Sequence, residues 1–207
     1  MGTSKLGAKL IAISGTPGTG KSHVAQLAAE RLSGKVISLS EFVKANELYD
    51  SWDDKLQTYI VDEDRARESL IQELQRIDEE EHPPVIIIDG LFADIIADLA
   101  DVAVVLRLNP EQLRARLVER GYQDQKVLEN IQAEVLGTCS FHMKEAVGSS
   151  FFDINTTGHD ADEIATTVIG IVDGSIDGSR YAPGLVDWIA DPTVDVMGIL
   201  ESNRNGE

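Results

Sequence analysis

Short apolar runs alternate with longer amphipathic segments along most of the chain. The apolar residues in each run follow one another without alternation, which is typical of strands buried on both faces of a sheet. These runs predict strands over 10–14, 36–39, 85–89, 102–108 and 150–154. Helical spacing of apolar positions between them predicts helices over 22–32, 63–78, 110–120, 126–146 and 160–172. Strands that alternate with helices indicate a three-layer α/β/α fold with a central parallel five-stranded sheet.

The segment from Gly174 onward departs from this pattern, because glycines and prolines interrupt it. We therefore predict one α/β domain over 1–175 and an irregular C-terminal tail over 176–207. Tyr181 and Trp188 are the candidates for packing this tail onto the domain, and the end after residue 200 is expected to fray.

Acidic residues dominate the charge of the chain. It has 18 Lys and Arg residues against 36 Asp and Glu residues, for a formal charge of −18 at pH 7. Of the 207 residues, 43% are hydrophobic, so a sizeable core is possible and wholesale disorder is excluded. A surface this acidic repels nucleic acid, which argues against an extensive nucleic-acid-binding face. Any contact with phosphate must therefore use a local cluster of Lys and Arg.

The cysteine count and the hydropathy indicate the compartment. Cys139 is the single cysteine, which excludes an intramolecular disulfide and a cysteine-rich zinc site and favours a reducing cytoplasm. No apolar stretch reaches the ~20 residues needed to cross a bilayer. The short apolar run near the start leads directly into a glycine-rich loop, so we do not expect a signal peptide. These features predict a cytoplasmic protein without membrane contact.

The strongest chemical signal is the octapeptide Gly-Thr-Pro-Gly-Thr-Gly-Lys-Ser over 15–22, between a predicted strand and a predicted helix. It fits the phosphate-binding-loop pattern, in which backbone N–H groups and a helix N-terminus hold phosphate oxygens. The residues predicted to form this cradle are Gly15, Gly18, Thr19 and Gly20. Lys21 is predicted to reach the β- and γ-phosphates of ATP, and the hydroxyl of Ser22 to ligate Mg²⁺. His23 is either a contact to the α-phosphate or a surface helix residue.

A carboxylate ends another buried run, where Ile-Ile-Ile precedes Asp89. At that position Asp89 is predicted to hold Mg²⁺, directly or through water, or to orient the nucleophile. The structural alternative is that it caps the helix that follows.

One basic segment stands out in this acidic chain, and it comprises Arg114, Arg116, Arg120 and Lys126. Phosphoryl transfer needs cations over the migrating group, and Arg116 and Arg120 are the candidates for that role. The alternative is a helix C-terminus carrying favourable bases. The chain is too short for a motor domain and lacks an Asn-Lys-x-Asp motif, which together favour a small kinase.

Four segments resemble the adenylate kinase isoenzyme 6 family of eukaryotes and archaea, a family of P-loop nucleoside monophosphate kinases. The first is the glycine loop at 15–22, and the second is Leu-Tyr-Asp at 48–50 with Val-Asp-Glu-Asp-Arg at 61–65. The third is Val-Leu-Arg at 105–107. The fourth runs from Arg-Gly-Tyr at 120–122 through Glu-Asn-Ile-Gln-Ala-Glu at 129–134. The resemblance covers roughly residues 9 to 190.

This resemblance implies Mg²⁺-dependent transfer of phosphate from ATP to AMP, giving two ADP. It also implies a monophosphate-binding insert near 38–61 and a short lid near 119–129. It further implies ATPase activity and a role in the maturation of small-subunit ribosomal RNA, through binding to a basic ribosomal protein of that subunit. Residues that match ATP-binding positions are Gly18, Gly20, Lys21, Ser22, His23 and Arg120. His159 falls in the adenine-contacting loop, and Lys44 and Tyr49 fall in the acceptor insert.

The chain differs from the family pattern at two positions. Leu91 stands two residues after Asp89, where the family usually has His, and Lys44 stands where it often has Arg. Lys keeps the charge of Arg but loses its bidentate fork. Two other functions also stay open: an ATPase switch that acts mainly in ribosome assembly, and a small-metabolite kinase on the same fold. Tyr49 either faces the acceptor base or packs within the insert.

Overall fold

The computed structural model describes residues 6–53 and 58–201. Residues 54–57 of the predicted insert and most of the predicted frayed end lie outside this part of the chain. The strands are β1 Lys9–Ser14, β2 Lys35–Ser38, β3 Tyr49–Asp53, β4 Thr58–Val61, β5 Val85–Asp89, β6 Val102–Arg107 and β7 Phe152–Asn155. The helices are α1 Lys21–Leu32, α2 Leu39–Ala45, α3 Glu63–Glu81, α4 Pro110–Glu119, α5 Asp124–Val135, α6 Thr138–Val147, α7 Ala161–Asp173 and α8 Val196–Glu201. Two 3₁₀ helices span Ala93–Leu99 and Gly178–Tyr181.

Five of these strands form one parallel sheet in the order β2-β5-β1-β6-β7. Its centre, β1, pairs with β5 on one side and with β6 on the other. Ile11 and Ile13 face a core shared with α1 and α7, whereas Leu10 and Ala12 face a core shared with α3 and the 3₁₀ helix Ala93–Leu99. Both faces of the sheet are therefore covered, which explains the unbroken apolar runs and confirms the predicted α/β/α fold with its five-stranded sheet.

One predicted helix is wrong. The helical spacing over 126–146 predicts a single helix, but the structure has two, because α5 ends at Val135 and α6 begins at Thr138. Gly137 lies between them with φ 66° and ψ 34°, a left-handed conformation that a continuous helix cannot contain. Both helices contact the loop that follows β1, because Glu134 of α5 and Cys139 of α6 each approach Thr16.

The segment predicted as the insert holds α2 and the antiparallel pair β3–β4. The sequence pattern does not predict β3 and β4, since each strand is short and only partly buried. The segment predicted as an irregular tail contains a 3₁₀ turn and α8. Trp188 is 4% exposed and packs with Leu108 and Val135, and Tyr181 packs against the α1–α7 core. No helix within the described residues is long and apolar enough to cross a membrane.

Candidate active site

The loop between β1 and α1 makes a turn that only glycine permits at two positions. Gly15 has φ 145°, and a Cβ there would lie 2.5 Å from the Leu106 carbonyl oxygen. Gly18 has φ 98°, and a Cβ there would lie 2.7 Å from Leu113. The loop therefore sits directly against β6 and α4. Thr19 closes the turn from inside, because its N–H and its hydroxyl both donate to the Thr16 carbonyl, at 3.2 and 2.9 Å.

The N-terminus of α1 is prepared for an anion. Gly20 precedes the helix with φ 99°, no side chain caps the first turn, and that turn carries no acidic residue. Its N–H groups are thus available to phosphate oxygens, with the helix dipole adding to the attraction. Lys21 reaches back across the loop, with its Nζ 3.4 Å from the Thr16 carbonyl oxygen. Burial lowers the pKa of Lys21, and the nearby Asp89 carboxylate opposes that shift.

Asp89 ends β5 beside β1, opposite Ile13, and is only 4% exposed. Its Oδ1 is buried and has no hydrogen-bond partner among the described residues. A buried acceptor without a partner is costly, so this oxygen is suited to a ligand that comes and goes. The alternative that Asp89 caps the next helix is wrong, because the 3₁₀ helix Ala93–Leu99 begins without a side-chain cap.

Asp89 fits a magnesium site together with Ser22. Both line one cavity of about 540 Å³, with Lys21, Arg120 and Tyr122 in its wall. Within the described ranges no group of three or more His, Cys, Asp or Glu side chains is placed to hold a metal ion by itself. That matches the usual chemistry of Mg²⁺, which takes one or two protein oxygens and completes its shell with water and phosphate.

A neighbouring cavity of about 320 Å³ unites predicted nucleotide residues that are far apart in the chain. Its lining includes five of the residues predicted to bind ATP, namely Thr19, Gly20, His23, Arg120 and His159, together with the predicted catalytic Arg116. Arg116 donates to the Gly18 carbonyl at 3.2 Å and so braces the loop from α4. His159 lies in the turn after β7, with its Nδ1 3.2 Å from Glu163 Oε2.

A third cavity, of about 490 Å³, opens on the other side of the glycine loop, between β4 and α6. Its wall is mostly apolar and includes Tyr59, Phe92, Asn130, Cys139 and His142. Burial raises the pKa of Cys139 to about 11, which keeps that thiol protonated at neutral pH. No local pattern separates Tyr59 and His142 from core or surface residues, whereas Asn130 lies within the Glu-Asn-Ile-Gln-Ala-Glu run without having been assigned a role.

The two predicted acceptor residues do not line this third cavity. Lys44 lies exposed in the last turn of α2. Tyr49 packs on Tyr59 with ring centroids 4.3 Å apart, so it supports the cavity wall from behind.

The fold and this loop define the class of P-loop α/β proteins, and solved structures share the fold. The chain superposes on thymidylate kinase from Candida albicans with a TM-score of 0.55 and 17% identity, covering 83% of this chain and 94% of that one. It superposes on shikimate kinase from Bacteroides thetaiotaomicron with a TM-score of 0.51 and 17% identity, covering 80% and 98%. At these identities the likeness establishes the fold.

Sequence relatives establish the family. A model of the AAA domain matches residues 11–137. Proteins named "Putative adenylate kinase" match from Methanocaldococcus jannaschii, at 38% identity over 86% of this chain and 92% of that protein, and from Saccharolobus solfataricus, at 33% over 89% and 90%. The chain belongs to this adenylate kinase family and is a kinase, which confirms the resemblance drawn from the motifs.

Proposed function

We propose that the protein transfers the γ-phosphate of ATP to AMP, giving two ADP, with Mg²⁺ as cofactor. The observation that carries the proposal is that three cavities meet at the glycine loop. One is lined by the nucleotide residues, one by Lys21, Ser22 and Asp89, and one by a mostly apolar wall suited to a base. The family relatives, named for adenylate kinase, support the choice of AMP as acceptor.

Catalysis on this site is positioning and electrostatics. The loop N–H groups and the N-terminus of α1 hold the β- and γ-phosphates of ATP. Lys21 and Arg120 face the cavity in which the phosphoryl group moves and neutralise its charge, while Arg116 supports the loop. Ser22 and Asp89 would hold Mg²⁺, which would supply further charge neutralisation on the phosphates.

The test is ADP formation from Mg²⁺-ATP with each of AMP, CMP, GMP and UMP. We expect strong stimulation by AMP, and loss of nearly all turnover in Lys21→Ala, because the charge over the phosphates is gone. Lys35→Ala, at an exposed residue of β2, is the matched control and should keep native turnover. A folded Lys21→Ala protein with near-native turnover would contradict the assignment.

A second candidate is an ATPase switch in ribosome assembly. What favours it is that the described residues lining the third cavity include no Lys or Arg to hold an acceptor phosphate. The acidic chain also suits a very basic ribosomal protein, because opposite charge speeds encounter. Slow ADP release that no monophosphate stimulates would favour this candidate, together with ATP-dependent binding of a small-subunit ribosomal protein to this chain in the cytoplasm.

A further inference from the structure

We infer that Glu134 is a positioning residue for the glycine loop and that it couples the C-terminal segment 186–199 to that loop. The inference goes beyond the proposed transfer reaction, although its consequence for turnover rests on that function. It starts from a buried carboxylate that the phosphate chemistry described above does not use.

Glu134 lies on α5, is 1% exposed, and has both carboxylate oxygens occupied. Its Oε2 accepts the hydroxyl of Thr16, the second residue of the glycine loop, at 2.7 Å. Its Oε1 accepts Arg107 Nε at 2.8 Å, the Leu108 N–H at 3.1 Å and the indole N–H of Trp188 at 3.0 Å. One carboxylate thus joins the loop, the end of β6 and the C-terminal segment.

Arg107 compensates the buried charge of Glu134 and is itself fully engaged. It is 3% exposed, and its Nη2 donates to the Glu134 carbonyl oxygen at 2.8 Å. Its Nη1 donates to Ser140 Oγ at 3.2 Å and to the Val186 carbonyl oxygen at 3.3 Å. Away from water such charged hydrogen bonds are strong, and they hold only when each partner is in place.

On the loop side, this hydrogen-bond network fixes Thr16, the residue on which the hydrogen bonds within the loop converge. The Thr16 carbonyl accepts from Thr19 N–H, Thr19 Oγ1 and Lys21 Nζ. Anchoring the Thr16 side chain on Glu134 therefore sets the position of the backbone on which Lys21 rests. A loop already held in this shape loses less conformational freedom when it binds phosphate.

On the other side, the network is open to the C-terminal segment. Trp188 packs with Leu113, Val135, Val194 and Ile199, and this apolar contact holds its indole against Glu134. If the segment leaves, Glu134 loses one donor and Arg107 loses the Val186 carbonyl. The anchor of Thr16 then weakens at a distance from the loop itself.

The test uses the full chain with Thr16→Val, which removes the hydroxyl, and Thr16→Ser, which keeps it. Trp188→Phe removes the indole N–H donor together with part of the side chain's apolar surface. Val194→Ala is the matched control, because it loosens the same apolar cluster without a bond to Glu134. Two readouts are measured: calorimetric affinity for a non-hydrolysable ATP analogue with Mg²⁺, and amide hydrogen exchange of residues 15–22 without nucleotide.

Loss of a hydrogen bond to a charged group typically weakens binding roughly tenfold. We expect a loss of that size in the affinity of Thr16→Val for the ATP analogue. Thr16→Ser should bind as the native chain does, and Trp188→Phe should weaken binding about threefold. Both Thr16→Val and Trp188→Phe should speed exchange in the loop. The double variant Thr16→Val/Trp188→Phe should lose less binding free energy than the sum of the two single losses, because both substitutions act through Glu134.

Two results would overturn the inference. One is a Trp188→Phe variant that binds the analogue and exchanges its loop amides as the native chain does, while its thermal stability falls as in Val194→Ala. A loss of apolar packing alone would give that result. The other is Thr16→Ser behaving like Thr16→Val. The proposed function fails separately, if the native chain shows no AMP-dependent ADP formation, because exchange in the loop is measured without nucleotide or turnover.

Discussion

At the residue scale, the site places a partly buried Lys21 and a buried Asp89 beside one cavity. Burial works against the charged form of Lys21, and the carboxylate of Asp89 helps to retain it. Asp89 in turn leaves one buried oxygen without a partner among the described residues. Under the proposed function, phosphate beside Lys21 and a cation beside Asp89 would complete this arrangement.

Replacing Asp89 by Asn should lower kcat about a hundredfold, as is typical when one preorganised electrostatic group is lost from an active site. The amide keeps the shape of the side chain but removes the negative charge that a cation requires. We also expect a higher Mg²⁺ concentration for half-maximal turnover. Steady-state ADP formation over a Mg²⁺ titration measures both quantities.

Asp94→Asn is the matched control for this variant. Asp94 also has a buried Oδ1 without a partner among the described residues, but it lines a different cavity, with Arg67 and Asp98. Burial raises the pKa of Asp94, so losing its charge is not expected to destabilise the fold. Equal losses of turnover in the two variants would contradict a specific role for Asp89.

At the element scale, the break between α5 and α6 is what brings both helices to the glycine loop. Glu134 lies on α5 just before the break and Cys139 lies on α6 just after it, and both approach Thr16. Gly137 forms the break, and its position next to the Arg107 guanidinium leaves room for a Cβ at 3.5 Å. The requirement for glycine there therefore comes from the backbone.

Gly137→Ala should destabilise the protein by about 1–2 kcal/mol, the cost of an L-residue in the left-handed region. For a chain of this size that corresponds to a thermal midpoint lower by about 2–8 °C. The sign is diagnostic, because in one continuous helix the same change would stabilise by roughly 1 kcal/mol. Thermal unfolding followed by circular dichroism distinguishes the two.

Gly174→Ala is the comparison that isolates the cost of placing an L-residue in the left-handed backbone conformation. Gly174 ends α7 with φ 78° and ψ 11°, and its Cβ would meet nothing within 4 Å. A similar loss of stability in both variants would assign the effect to backbone strain. A much larger loss at Gly137 would instead implicate the contact with Arg107.

At the scale of the whole molecule, the charge of −18 opposes compaction. Acidic side chains repel one another across the surface, and the repulsion acts more strongly on the folded state because the charges are closer together there. The few surface cations that pair, such as Arg76 with Glu73 and Glu80, offset only a small part of it.

Salt should therefore stabilise this protein. The Debye length falls from about 10 Å at 0.1 M to about 3 Å at 1 M, so added KCl screens the repulsion. We expect the thermal midpoint at neutral pH to rise by several degrees over that range. The rise should shrink near about pH 5, where carboxylates begin to take up protons. A midpoint that falls with KCl at neutral pH would show that attractive ion pairs dominate.

The features that could be predicted from the chain alone are local ones. The glycine loop is contiguous, and its turn uses positive φ values at Gly15, Gly18 and Gly20. The octapeptide is therefore enough to place Lys21 and Ser22 at the start of α1. The buried strands were equally predictable, because a strand covered on both faces must be apolar throughout. These two features together indicate the fold class and the nucleotide site.

Features that depend on residues far apart in the chain follow only from the tertiary arrangement. Thr16 and Glu134 are separated by 118 positions, and Trp188 follows Glu134 by another 54, so no local spacing predicts their contact. The third cavity follows the same logic, since Tyr59 lines it and Tyr49 stands behind Tyr59 through the pairing of β3 with β4. Side-chain direction in such a site is set by packing between elements, and packing is known only once the elements have been brought together.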